Sequence, residues 1–178
     1  MNCPSCGAPV TDGTKFCEYC GVQIPVQAAP VQSAPEVDED DDMFELPDEV
    51  IDLFCDIDDD NIFCCYNEDF DERKLDNAVK KYASDIDLDY LLIQVDDTVF
   101  GSAEDGCLIT PDMIYVHDAS GTRRREITPD SEWKVKTGFL TGGSLILDGE
   151  VIFKYTQPDN GSMEQLAEAL NAMCEAME

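Results

Sequence analysis

Two hydrophobic periodicities divide this chain from Leu46 onward. Between Asp71 and Ala83, Leu75, Ala78, Val79 and Tyr82 recur at i, i+3, i+4 and i+7, the spacing of one buried stripe on a helix. Asp69 and Glu72 are placed to cap the start of that helix, and Lys80 and Lys81 suit its C-terminal end. A shorter helix is predicted over Leu46–Cys55, with Pro47, Asp48 and Glu49 in its first turn, where proline and acids are tolerated or favoured. From Tyr90 the period drops towards two. Val95, Val99 and Phe100 read as strand residues interrupted by a polar turn from Gly101 to Gly106. Leu108–Thr110 and Met113–Val116 read as two strands joined at Pro111-Asp112, because proline pre-sets φ and aspartate bonds its own backbone. A turn at Asp118–Gly121 leads into Arg123–Ile127. Trp133–Lys136 alternates apolar and polar, as a half-buried strand does. Ser144–Leu147 and Glu150–Tyr155 flank Asp148-Gly149, a strong hairpin signal. A final helix is predicted from about Met163, with Ser162 and Gln165 as a capping box. Met163, Leu166, Ala167, Leu170, Met173, Cys174 and Met177 line one of its faces.

Strands in meander order followed by one amphipathic helix predict an α+β fold, mainly antiparallel. The stretch from Gln94 to Asp118 carries a family resemblance. At Asp96, Asp97, Thr98, Phe100, Gly101, Gly106, Ile109, Thr110, Ile114 and Tyr115 it resembles the bacterial PH-like domains. In these a DDTVFG-type segment, a glycine-ended turn and a strand pair open a curved sheet. Cys107 departs from the pattern, standing where relatives often carry an aromatic or aliphatic residue. The resemblance implies a β-roll whose open end is covered by the C-terminal helix. It also implies that the helix at 71–83 belongs to the folded domain, since a comparable helix precedes this segment in relatives.

The chain has 178 residues, of which 43% are hydrophobic, enough for one medium domain with its own core and a small satellite. No apolar run approaches the roughly 18 residues that a membrane-spanning helix needs. No basic region followed by an apolar one stands at the N-terminus, so no secretory signal is expected. The nine cysteines are therefore expected in a reducing cytoplasm, where metal binding outranks disulfides. The net charge of −29 is densest between residues 36 and 85. Such a surface repels phosphate backbones and anionic lipid head groups at long range.

The first 21 residues carry the strongest chemical signal. Cys3 and Cys6 form one C-x-x-C pair, and Cys17 and Cys20 form a second. Two residues between thiolates let both sulfurs of a knuckle face one point, and two knuckles supply the four sulfurs of a tetrahedral zinc site. Pro4, Gly7 and Gly21 are suitable turn formers, and Phe16 is placed to cover one side. The segment resembles the short zinc ribbons of many bacterial proteins, matching C-P-x-C-G and F-C-x-x-C-G. Four thiolates fill the coordination shell, so the expected role of one Zn²⁺ is structural: about twenty residues cannot build a core alone. Four-sulfur sites also take iron, but no redox feature accompanies this one. Lys15 is the only base near the knuckles, too little to hold nucleic acid.

Residues 22–43 alternate proline with small and polar residues and then run into acids, a spacer composition. The expected order is thus a zinc ribbon at 1–21, a linker at 22–43, an acidic helical segment at 44–89 and the PH-like β-domain with its helix at 90–178. Asp56, Asp58 and Asp60 imitate the start of an EF-hand loop, but Asn61 replaces the turn glycine and Asn67 the bidentate glutamate, so a solvated acidic turn is expected. Cys55, Cys64 and Cys65 are expected to be small apolar residues and not a second metal site.

Arg123, Arg124 and Arg125 are the one basic cluster, at a strand entrance where some PH domains bind phosphoinositides. Alternate strand residues face opposite sides, so at most two share a face, and pairing with nearby acids is the expectation. His117, the single histidine, is expected at an edge; Asp96 and Asp97 point apart on a strand and are expected to cap turns. No Walker loop or dinucleotide fingerprint is present. The reading is a non-enzymatic zinc-binding adaptor whose acidic domain binds a protein, with no small-molecule substrate. A lipid-binding module using the three arginines is the first alternative, and an enzyme of unrecognised class the second.

Overall fold

The computed structural model describes residues 45–67, 70–138 and 142–177. The chain divides into two compact units, Met1–Asp42 and Met43–Glu178. The ribbon predicted over 1–21 and the linker predicted over 22–43 lie outside the described residues, as does Asp69.

In the second unit the order is α1 (Asp48–Cys55), β1 (Ile62–Cys64), α2 (Glu72–Tyr82), a 3₁₀ turn (Leu88–Tyr90), β2 (Ile93–Asp96), β3 (Gly106–Ile109), β4 (Met113–Asp118), β5 (Gly121–Glu126), β6 (Trp133–Thr137), β7 (Gly143–Leu147), β8 (Glu150–Tyr155) and α3 (Asn160–Ala176). The fold is α+β with antiparallel sheets and a C-terminal helix. β1 to β5 form one sheet in sequence order, and β6 to β8 form a second. The registers put Ile62, Val95, Cys107, Val116 and Arg123 in one cross-strand row, and Cys64, Ile93, Ile109, Ile114 and Arg125 in the next row on the same face. Their apolar members join Trp133, Leu145, Leu147, Phe153 and Tyr155 of the second sheet and Met163, Leu166, Leu170 and Met173 of α3 in the main core. Each such side chain, taken wholly out of water, stabilises the fold by about 1.5–3 kcal/mol.

The opposite face of the first sheet is covered by α2. Ala78 and Tyr82 pack with Leu91, Leu108 and Tyr115 in a second cluster, with Leu75 and Val79 half-buried beside it. The stripe that periodicity predicts is thus the docking face of α2. Its N-cap is Asp71, whose carboxylate accepts from the Lys74 amide at 2.9 Å. The β7–β8 hairpin turns on Asp148 and Gly149, both at positive φ (53° and 81°), as an Asp-Gly turn demands. A bulge between Leu145 and Ile146 throws Ile152 out of the β8 ladder.

Within this unit α1 packs on α3 through Val50 and Phe54, β1 pairs with β2, and α2 belongs to the folded domain as the resemblance implies. Three expectations change. α3 begins at Asn160, and its cap is Asp159, not Ser162. The Asp159 carboxylate accepts from the Gly161 and Ser162 amides, and the Ser162 hydroxyl donates to it as well. Ile62–Cys64, read as part of an acidic turn region, is a strand. Finally, β2 ends at Asp96, so Val99 and Phe100 lie in the connecting loop and not in a strand.

Candidate functional site

The loop between β2 and β3 is built around one carboxylate. Asp96 is fully buried, and its Oδ1 accepts from the Thr98 amide (2.9 Å), the Thr98 hydroxyl (2.5 Å) and the Ala103 amide (3.2 Å). The Thr98 hydroxyl oxygen in turn accepts from the amides of Ser102 and Ala103. Backbone donors that would have continued the strand ladder therefore turn inward, which is why β2 stops there. Asp96 Oδ2 lies 3.1 Å from Lys74 Nζ of α2, and that ammonium also stands 4.4 Å from the centre of the Phe63 ring. Asn77 of α2 donates to the Ser102 carbonyl. Gly101 and Ala103 take positive φ, 67° and 56°. Gly106 closes the loop at φ 148°, where a Cβ would fall 1.9 Å from the Val95 carbonyl oxygen. At the tip, Val99 and Phe100 stand in water, 72% and 95% exposed.

Asp97, the first residue past β2, has partners of its own. It accepts from the amides of Thr156 (2.6 Å) and Gln157 (2.7 Å), which ties the first sheet to the end of β8. Burial raises its carboxyl above the usual range despite those amides. The two aspartates form no dyad, and both act on backbone.

Each arginine of β5 faces a carboxylate. Arg123 meets Asp118 through both guanidinium nitrogens, at 3.0 and 2.5 Å, and its Nε donates to the Ile152 carbonyl (2.6 Å), the group that the β8 bulge turns out. Asp118 also accepts from the Ser120 and Lys154 amides. Burial pushes its carboxyl up, but the Arg123 and backbone donors outweigh that and hold it at about 2. Arg125, on the same face, pairs with Glu150; Arg124, on the α2 face, pairs with Asp85. The strand brings no two of these cations onto a common open surface. His117 is half-buried, with Nδ1 at 2.6 Å from Asp105 and its ring stacked on Tyr82 at 6.1 Å.

Cys55, Cys64 and Cys65, which the sequence presents as a group, lie at the end of α1, at the end of β1 and just after it. Asn67 donates to the Cys55 carbonyl, holding the end of α1 against the turn after β1. The adjacent thiols shift one another in opposite senses, Cys65 lowered through Cys64, and Cys64 raised through Cys65 and by burial. Cys65 is exposed and lines a cleft of about 190 Å³ with Tyr66, Tyr90, Leu91, Leu92 and Pro111. Among the described residues no group of three or more His, Cys, Asp or Glu is arranged to hold a metal, Asp56–Asp60 included. Cys64, Cys107 and Cys174 are buried free thiols, Cys55 is half-buried, and none of the described helices is long and apolar enough to cross a membrane.

Cys3, Cys6, Cys17 and Cys20 lie outside the described residues. As a donor set, four cysteines in two C-x-x-C pairs fit a tetrahedral zinc ion. A family model described as a zinc-ribbon domain matches residues 1–24. No curated protein and no solved structure matches the chain. The segment that contains the four cysteines is thus similar to zinc-ribbon domains, which implies that the chain binds zinc.

Proposed function

We propose that this chain is a non-enzymatic bacterial adaptor of the cytoplasm, in which a structural zinc ribbon is tethered to an acidic, PH-like domain that recognises a protein. Cys3, Cys6, Cys17 and Cys20 would hold one Zn²⁺, which when bound would cross-link two knuckles too short to build a core. The PH-like reading draws on the DDTVFG segment together with the order of elements: a five-stranded antiparallel sheet, a second three-stranded sheet, and a C-terminal helix packed on β6 and β7.

The observation that carries the protein-binding reading is the fate of the charged side chains. Asp96, Asp97, Asp118 and the three arginines are each bound within the domain, while the chain keeps a net charge of −29. What the domain offers to a partner is an acidic field with apolar side chains at its surface. The lipid alternative would require Arg123, Arg124 and Arg125 to leave Asp118, Asp85 and Glu150 and to face a membrane against that field.

The test is affinity capture with the full chain and with its Cys3→Ser/Cys6→Ser variant, with zinc content determined on both. One zinc per full chain, lost in the variant, is expected, with the same protein captured by both if recognition belongs to residues 43–178. Capture by the full chain alone would move the interface to the ribbon. Co-sedimentation with anionic vesicles that disappears in an Arg123→Ala/Arg124→Ala/Arg125→Ala variant would replace this reading with the lipid one. A truncation at Glu68 would be a poor probe, because it removes α1 and β1.

A further inference from the structure

We propose that Val99 and Phe100 form the docking anchor of this domain, and that the partner is a protein presenting an apolar pocket rimmed by basic side chains. This deepens the protein-binding reading above and rests on it.

Three observations converge on the tip. The first is display: outside this tip the most exposed large apolar side chain among the described residues is Val151 at 46%, against 72% for Val99 and 95% for Phe100. The second is rigidity. Asp96 takes three donors of the loop and the Lys74 ammonium, Thr98 takes the Ser102 amide and shares that of Ala103, Asn77 holds the Ser102 carbonyl, and Ala103 is buried at a left-handed φ of 56°. A buried charge and a strained backbone position are used to hold two apolar side chains in water. An anchor fixed in its bound geometry loses little conformational freedom on docking, and buried aromatic anchors dominate interfaces.

The third observation is charge, and it selects the partner. The loop from Asp97 to Asp105 has no basic residue, and Lys74 beside it is taken up by buried Asp96; with Asp97 bonded to the Thr156 and Gln157 amides, the acids left to face a partner are exposed Glu104 and half-buried Asp105, beside His117. Anionic membranes and nucleic acids would be repelled. A second copy is also a poor fit. The apolar clefts of this domain, at Tyr66–Tyr90 and at Leu75–Val79–Leu88, are bordered by Asp89 and by Glu72 and Asp76, which would face the loop's own acids. A pocket with a cationic rim satisfies both the apolar tip and the carboxylates around it.

The experiment installs the photo-crosslinker p-benzoylphenylalanine at position 100 of the full, zinc-loaded chain, and at position 151 as a control. The crosslinked protein is identified, the site of attachment is mapped, and the affinity of that protein for the unlabelled chain is measured. The expected result is attachment from position 100 within an apolar site flanked by Lys or Arg. Phe100→Ser should weaken binding at least about tenfold, Val151→Ser should leave it within about twofold, and salt should weaken it. The buried emission of Trp133 should show that both variants remain folded. A captured partner whose affinity ignores Phe100→Ser would overturn the anchor and leave the adaptor reading standing. Capture of no protein by either crosslinking chain would overturn both. Phe100-dependent binding to phosphatidylcholine vesicles, with or without phosphatidylglycerol, would make the tip a membrane anchor. Phe100-dependent self-association in sedimentation would make it a dimer contact. Either outcome would refute the proposal.

Discussion

Asp118 and Arg123 give the sharpest quantitative test of how the two sheets are joined. In an Asp118→Asn variant the Arg123 guanidinium keeps the Ile152 carbonyl but loses its countercharge. The folded-state carboxyl sits at about 2 against an ordinary 3.8. At 1.36 kcal/mol per unit, that difference is worth about 2 kcal/mol of native-state stability at neutral pH, since Asp118 is only 5% exposed and little screened. Removing one member of a buried pair costs about 3–5 kcal/mol in general, but Arg123 is 26% exposed and water shares its charge, so a loss of about 2–3 kcal/mol is expected. The sign with pH follows from linkage. The folded pKa is depressed, so the contribution is present above 3.8, falls as pH drops from there, and is gone below about 2. Urea unfolding followed by the single tryptophan, Trp133, which is buried in the second sheet, reads this directly. Wild type and variant should differ by about 2–3 kcal/mol at pH 7 and converge near pH 2. A difference under about 0.5 kcal/mol at pH 7, or one that does not shrink in acid, would refute the reasoning.

Gln94 is wholly buried under α2 with neither end of its amide bonded to another side chain or to backbone, so Gln94→Met should raise stability by about 1–2 kcal/mol. A lowered unfolding midpoint would show that the amide finds a partner in solution. Cys65 should be the first of the five described cysteines alkylated by iodoacetamide at pH 7, because it is exposed and its thiol is lowered. Peptide mass spectrometry showing Cys64, Cys107 or Cys174 modified first in the folded chain would contradict the assignment.

The periodic elements were legible from the chain because each rests on a local rule. α2 follows from its 3.6-residue stripe, and the β7–β8 hairpin from Asp148-Gly149. What failed depended on partners far away in sequence. Ile62–Cys64 is too short to read as a strand by itself and becomes one only because β2 offers an edge. Near Asp159 several residues compete to cap α3, and the winner is the one whose amide also reaches Asp59. Val99 and Phe100 read as strand because they are apolar, whereas the Asp96 and Thr98 side chains divert the backbone before them. Pairing of the three arginines with acids was legible, but only Asp118 lies near its partner Arg123 in sequence; Asp85 and Glu150 do not lie near Arg124 and Arg125. The ribbon was legible because its chemistry is carried by spacing alone.

The helix at the end of the chain also sets when the domain can form. α3 supplies much of the main core, α1 packs on it, and the Asp159 amide reaches Asp59 a hundred residues back. Asn171 of α3 grips both the amide and the carbonyl of Trp133, serving as a neighbour for the edge of β6. Contacts this distant close late, since the loop entropy must be overcome before they contribute. A nascent chain that has emerged only as far as β8 therefore carries two sheets with an open apolar face. For that interval, solubility falls to the dense acidic residues that precede the sheets, and completion of the fold waits on the seventeen residues of α3.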